Sequence, residues 1–383
     1  MYSVFLIILF IFFILELSLR IFFEKLIVYT KRFYTEDSFF PKFDKTVLNK
    51  FYNKSYSNDL GWDNYIKNRE NKKYLKLNNK KIFTFGDSFV FGKFSEESKK
   101  WQHYLSRETK LKVLNYGVNN HGLDQSFLKI KKHKKYLKSN ILIVGFVPET
   151  ILRITTSWKH FYEFGNIYAF KPRYEVKNKK LKLFKNPLDK NSSVRKLDKL
   201  VVDLKKKDPG YKFFYKNNLI KFPILLLFLK DFNYFFKISF YIFLYRYFNI
   251  KNIKKKILKL IVSKNIKLSH KFYKEKIKTD LIELFFKELK KFSNKQKANL
   301  FFVIFPQIYD LKFNSRKYYI NFYKKIAKQN SIKIIDLTFQ LQKKKIETYY
   351  LNDEFGGHLN KKGNKFVSDI ICKFISQKGN IKS

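Results

Sequence analysis

The chain has 383 residues, of which 45% are hydrophobic, so a large core can be buried and wholesale disorder is excluded. It carries 81 Lys and Arg against 31 Asp and Glu, a formal net charge of +50. The lysines are spread along the whole sequence beside abundant Asn, Ile, Phe and Tyr, the composition an AT-rich coding sequence favours, and are not gathered into one arm or helix face. Charge alone therefore points to no specific nucleic-acid partner, although a basic surface attracts anionic glycans and lipid headgroups. The single cysteine, Cys372, lies in an apolar run and excludes an internal disulfide and any cysteine-based metal site; the expectation is a buried helix residue and no metal or cofactor.

Residues 4–19 are almost entirely Val, Phe, Leu and Ile, and with 21–23 they give about twenty apolar residues, enough for one membrane-spanning helix. No basic segment precedes the run and no small-residue cleavage site follows it, so 1–33 is expected to be an uncleaved anchor. Arg20, Lys25, Lys31 and Arg32 follow the span, but in so basic a chain the positive-inside count discriminates poorly. Glu16 inside the span needs either a place near one membrane face or a pairing with Arg20, one turn away.

A lead-in, 34–80, shows no clear periodicity. From 81 a β/α rhythm begins: strand 81–86 (KIFTFG), helix 96–108, strand 112–117 (KVLNYG), helix 125–137 and strand 140–146 (NILIVGF). An insertion, 151–277, interrupts it. This contains a hairpin over 174–184 and two apolar runs, 219–229 and 234–250, studded with Lys and Arg, which read as mainly helical cap elements close to the bilayer. The rhythm resumes over 278–376 with helix 280–292, strand 298–305 (ANLFFVIF), helix 316–329, strand 331–337 (SIKIIDL) and helix 361–376. Five strands alternating with helices predict a three-layer α/β/α sandwich around a five-stranded parallel sheet, with its site at the carboxyl ends of the strands.

The chemistry-bearing residues fall at those ends. Gly86-Asp87-Ser88 follows the first strand and opens a helix, where free N–H groups can steady an oxyanion. Asn115-Tyr116-Gly117 ends the second strand, and its glycine allows close backbone approach. Asp353-Glu354-Phe355-Gly356-Gly357-His358 precedes the last helix: glycines that can aim a histidine, with carboxylates to orient it.

In this order the motifs resemble the SGNH/GDSL hydrolase superfamily, over roughly 80–150 and 278–376. The resemblance implies a flavodoxin-like fold, Ser88 as nucleophile, His358 as base and the Gly117 N–H as an oxyanion donor, with 145–150 (GFVPET) in the place of the third block. That block normally supplies an asparagine; here Glu149 stands nearest, and a carboxylate cannot donate. It is either protonated, replaced by Asn119, Asn120 or Arg153, or a mark of reduced activity. The triad acid normally stands three residues before the histidine, where Phe355 lies; Asp353 is the favoured substitute and Glu354 the other. The apolar start, the GDSFVFG loop, Gly122-Leu123-Asp124-Gln125, Lys171-Pro172-Arg173 and the GGH loop further resemble membrane-anchored SGNH proteins of bacterial surface-polysaccharide systems. That likeness implies a periplasmic serine esterase or O-acyltransferase acting on an acylated glycan, or else a degenerate SGNH fold that binds glycan.

Overall fold

The computed structural model describes residues 2–27, 43–63, 80–163, 166–190, 192–216, 223–248, 250 and 252–377. Residues 28–33 of the expected anchor, 34–42 and 64–79 of the lead-in and 219–222 of the first apolar run lie outside these.

The sheet comprises β1 (Lys81–Gly86), β2 (Lys112–Asn115), β3 (Ile141–Phe146), β4 (Asn299–Ile304) and β5 (Lys333–Asp336). All pairings are parallel, in the order β2-β1-β3-β4-β5. This is the flavodoxin-like order, and the three-layer α/β architecture expected from the sequence is what forms. Each central strand is apolar throughout because both faces are covered. Phe83, Phe85, Leu142, Val144, Phe146, Phe302 and Ile304 face one helical layer: α4 (Leu123–Lys132), α7 (Lys276–Lys295) and α8 (Arg316–Asn330). The alternate residues Ile82, Ile141, Ile143, Phe301 and Val303 face the other: α2 (Ser88–Phe91), α3 (Trp101–Thr109) and α9 (Lys361–Gln377). The period-2 division of one apolar run between two cores fixes the register, since a one-residue slip would exchange them.

The insertion builds a third core around Trp158, Phe161, Leu197, Val201 and Tyr215. The hairpin is present, as Arg173–Lys177 paired with Lys180–Phe184. The two apolar runs are helical, as expected. Their described residues form two helical segments that meet at a kink at Asp231, whose backbone leaves helical geometry (φ −155°, ψ 67°), and the whole span Ile224–Phe248 is labelled α5. Lys237, one of the basic residues within the second run, is exposed. Helix α6 (Ile253–Phe272) returns against α5. The lead-in also holds a helix, Lys45–Lys54, capped by Asp44, whose weak apolar periodicity hid it. Cys372 is half-buried on α9.

Helix α1 (Tyr2–Ile27) has an exposed apolar stretch, Tyr2–Phe22, of mean hydropathy 2.7; among the described residues it is the one helix long and apolar enough to cross a membrane. It packs on α5, with Phe22 and Phe243 stacked at 6.2 Å. The Glu16 carboxylate accepts hydrogen bonds from the N–H groups of Ile224 (2.6 Å) and Leu225 (2.8 Å). It thus caps the amino terminus of α5, satisfying two N–H groups a helix leaves unpaired and a carboxylate an apolar span cannot solvate.

The insertion is locked to the sheet domain by Lys171, whose ammonium pairs with the Asp124 carboxylate at the start of α4; both are fully buried. Removing one partner strands the other charge. Lys171→Met should therefore destabilise the protein by about 3–5 kcal/mol, and Lys171→Met combined with Asp124→Leu by less than Lys171→Met alone. Denaturant unfolding of the full chain in detergent checks both.

Candidate active site

Strands β1 and β3 lie side by side up to the end of β1, where Gly86 pairs with Gly145. A Cβ on Gly86, at φ +156°, would collide with the Gly145 carbonyl and the Val90 side chain. Bare backbone there lets the chain turn at once into α2. Asp87 fixes that turn: its Oδ1 accepts the Phe89 N–H (2.9 Å) and its Oδ2 the Val147 N–H (3.0 Å), joining the ends of β1 and β3. Ser88 then begins α2 with its side chain 6% exposed.

His358 arrives from 270 residues away, on a two-residue antiparallel bridge (Tyr350–Leu351 with His358–Leu359) just before α9. Gly356 (φ +97°) and Gly357 (φ +82°) make the preceding turn in a conformation that side chains disfavour. The Ser88 hydroxyl donates to His358 Nε2 (2.9 Å), and the His358 Nδ1–H donates to Asp353 Oδ2 (2.7 Å). Asp353 Oδ1 accepts the N–H groups of Phe355 (2.7 Å) and Gly357 (3.3 Å). Of the two candidate acids it is Asp353 that reaches the imidazole. Burial pushes the Asp353 carboxyl up, but the His358 hydrogen bond and charge and the two backbone donors outweigh it and hold the group below its ordinary value. The His358 ring stacks on Phe89 at 5.1 Å.

The remaining candidates take other positions. The Gly117 N–H donates to Asn115 Oδ1 (2.9 Å), so it is already engaged rather than open to an oxyanion. Gly117 is required for a different reason: a Cβ there would meet the backbone of Val90 and Phe91 in α2. Asn120 sits in the left-handed region (φ +63°), half-buried, in the loop after β2. Glu149 is buried and pairs with Arg153 (3.0 Å), whose guanidinium also donates to the His121 carbonyl (3.3 Å) and lies 3.7 Å from Asp87 Oδ2. Burial works against the Arg153 charge, but the Glu149 and Asp87 carboxylates more than offset it and keep the group ionised. His121 is buried and donates to the Trp62 carbonyl (2.9 Å); burial pushes it down to about 3, leaving a neutral structural ring.

Gly122-Leu123-Asp124-Gln125 and Lys171-Pro172-Arg173 meet one another rather than the triad. Lys171 pairs with Asp124, Gln125 donates to the Leu60 carbonyl (2.7 Å) and accepts the Gly122 N–H (3.0 Å). These segments hold the lead-in and the insertion against the strand ends. Sequence reasoning missed Lys93 and Phe94. Phe94, 55% exposed and at φ +66°, stands edge-on to the His358 ring at 5.4 Å. The Lys93 ammonium lies 3.4 Å over the Phe355 ring. Lys93 lines the cleft at Ser88 and His358; an aromatic in a left-handed conformation leaves no pattern in sequence. Among the described residues no group of three or more His, Cys, Asp or Glu is placed to hold a metal ion.

No protein-family model matches the chain, and no curated protein sequence matches it. Solved structures do. A lipolytic protein of the G-D-S-L family from Desulfitobacterium hafniense matches at 10% identity and TM-score 0.34, over 77% of this chain and 99% of that one. A member of the lipolytic G-D-S-L family from Veillonella parvula matches at 12% and 0.34, over 78% and 99%. A lipase/acylhydrolase from Enterococcus faecalis matches at 11% and 0.34, over 79% and 98%.

Gly117→Ala, by overpacking the contact with α2, should cost about 1–3 kcal/mol and lower the melting temperature. Thermal unfolding of the full chain in detergent measures this. Asp310, which accepts the Gln307 N–H (2.9 Å), supports the loop that leads to His358, because Gln307 Nε2 donates to the Phe355 carbonyl (3.3 Å). Burial raises Asp310 to about 7. A carboxyl that is raised on folding gives stability that is full below its unfolded pKa of about 4 and is lost as pH rises through about 7. Asp310→Asn should remove that share of the decline between these pH values, a few kcal/mol in order of magnitude; unfolding midpoints against pH give the comparison.

Proposed function

We propose that the chain is a membrane-anchored serine esterase of the SGNH/GDSL type. It hydrolyses or transfers an O-acyl ester, and the preferred substrate is an acyl group on a cell-surface glycan on the periplasmic side. The observation that carries this reading is the continuous hydrogen-bond chain Asp353–His358–Ser88 at the carboxyl end of a parallel sheet.

The Ser88 Oγ attacks the ester carbonyl carbon as its proton passes to His358 Nε2. The negative charge then forms on the carbonyl oxygen, near the N–H of Ser88 at the start of α2. Collapse expels the alcohol, which takes the proton from His358 and leaves an acyl group on Ser88. Water, or a second sugar hydroxyl, next gives its proton to His358 and attacks the acyl carbon. Breaking of the acyl–Oγ bond, with the proton returning from His358 Nε2 to Ser88 Oγ, completes hydrolysis in the first case and acyl transfer in the second. Asp353 keeps the proton-bearing Nδ1 of His358 turned away from Ser88 and steadies the imidazolium.

A second reading is a glycan-binding protein without catalysis. It is favoured by two geometric facts: the Gly117 N–H is engaged by Asn115, and Glu149 is held by Arg153 where a donor is expected. Losing one oxyanion donor costs about 10²–10³ in rate.

The full chain in detergent should hydrolyse p-nitrophenyl acetate and take up a fluorophosphonate label. Ser88→Ala and His358→Ala should fall to background, and Asp353→Asn by roughly 10²–10⁴-fold. Folded protein that neither turns over nor labels at Ser88 establishes the binding reading instead.

A further inference from the structure

A cavity of about 420 Å³ lies between α5 and α6, apart from the triad. Its wall carries Lys237, Lys256, Lys259, Lys264 and Lys267 against one carboxylate, Asp231. A lysine-rich chain can scatter its ammonium groups over convex surface, where water separates them; five around one concavity repel one another unless an anion lies between them. Lys264 is packed 3.5 Å over the Tyr234 ring, and burial pushes it down to about 8, with Asp231 opposing and Lys230 and Lys271, outside the cavity wall, adding to the push.

The position of the cavity says which anion. One wall is α5, whose outer face carries Leu226, Leu229, Phe232, Phe236 and Phe240, each between 47% and 69% exposed. After the kink at Asp231, spacings of four residues place Phe232, Phe236 and Phe240 in one stripe, and their rings stack in succession at 5.5 and 6.3 Å. A stripe of this size on a soluble surface marks a partner. The amino terminus of α5 is bound to Glu16, which lies within the apolar stretch of α1, about 9 Å from Phe22 at the helical rise. The first turns of α5, all Ile, Leu and Phe from 224 to 229, therefore stand at hydrocarbon depth. Charged residues begin at Lys230 and Asp231, where the helix kinks, as the chain returns toward the headgroups.

We propose that this lysine cavity binds the phosphate group of an anionic membrane lipid, with the aromatic stripe of α5 against its acyl chains. The proposal rests on the reading of α1 as a membrane span and is independent of the chemistry at Ser88. It gives the cavity a route to the site, because Lys259 Nζ donates to Asn352 Oδ1 (2.8 Å), the neighbour of Asp353.

The test uses the full chain in uncharged detergent micelles at 0.15 M salt. Lipid binding is measured by native mass spectrometry with dioleoyl phosphatidic acid, dioleoyl phosphatidylcholine or inorganic phosphate as probe. Phosphatidic acid should bind saturably, at least tenfold more tightly than phosphatidylcholine. The combination Lys256→Gln, Lys264→Gln and Lys267→Gln should weaken it tenfold or more, and so should Lys267→Glu alone, a charge reversal at an exposed position that leaves the fold intact. The combination Lys324→Gln, Lys325→Gln and Lys328→Gln, on the exposed side of α8, should leave it unchanged. Equal losses in both triple variants would show diffuse charge and overturn the site. Inorganic phosphate that binds as tightly and displaces the lipid would make it a soluble-phosphate site. Ser88→Ala retains the lipid if the proposal holds, whatever the turnover, and flotation with neutral liposomes tests the span of α1 by itself.

Discussion

The hydrogen bond between Ser88 and His358 joins residues 270 positions apart in the chain. It exists because a parallel sheet delivers every strand's carboxyl end to the same edge. The serine is fixed there by the Asp87 bridge between β1 and β3, and the histidine by α9, which buries Val367, Ile371 and Ile375 against the opposite face of the same sheet from α4 and α7. The triad is thus only as well defined as the packing of α3 and α9 together. Asn364 is the seam: its Oδ1 accepts the Trp101 N–H (3.1 Å) and its amide donates to the Leu359 carbonyl (3.2 Å), next to His358.

A large part of this was legible in the residues. Strands continuous in apolar character, as in NILIVGF and ANLFFVIF, can belong only to a sheet covered on both faces, and the β/α spacing leaves little choice of topology. GDS after a strand and GGH before the last helix marked Ser88 and His358, which the fold brings within hydrogen-bond distance, and glycines flanking a histidine announced a loop able to bring Asp353 across five positions. What sequence could not supply is competition for hydrogen bonds. The Gly117 N–H stands at the position expected of an oxyanion donor, yet the short Asn115 side chain two residues earlier takes it, a local contest that no motif records. Glu149 likewise reads as a lost donor until its partner four residues on is seen to make it one end of a buried ion pair.

The two apolar runs of the insertion were legible as cap helices, and two helical segments form. What the residues did not mark is the kink where they meet at Asp231, whose backbone leaves helical geometry. Helix α5 is apolar on both sides: Phe235, Ile238 and Ile242 are buried in the cap core while Phe232, Phe236 and Phe240 are exposed. Such a helix is apolar around its circumference rather than amphipathic.

The bonds from Glu16 to the first two N–H groups of α5 change what the amino-terminal helix is mechanically. A helix attached only through the peptide chain is a tether, and the body it holds is free to tumble within the tether's reach. One that also caps a helix of that body is a strut, and under the proposed membrane reading it would set both the height and the tilt of the Ser88 edge relative to the bilayer. Cutting the chain after the apolar stretch to obtain a soluble fragment would therefore do more than release the domain. It would open the end of a cap helix and expose to water the face that the strut covers.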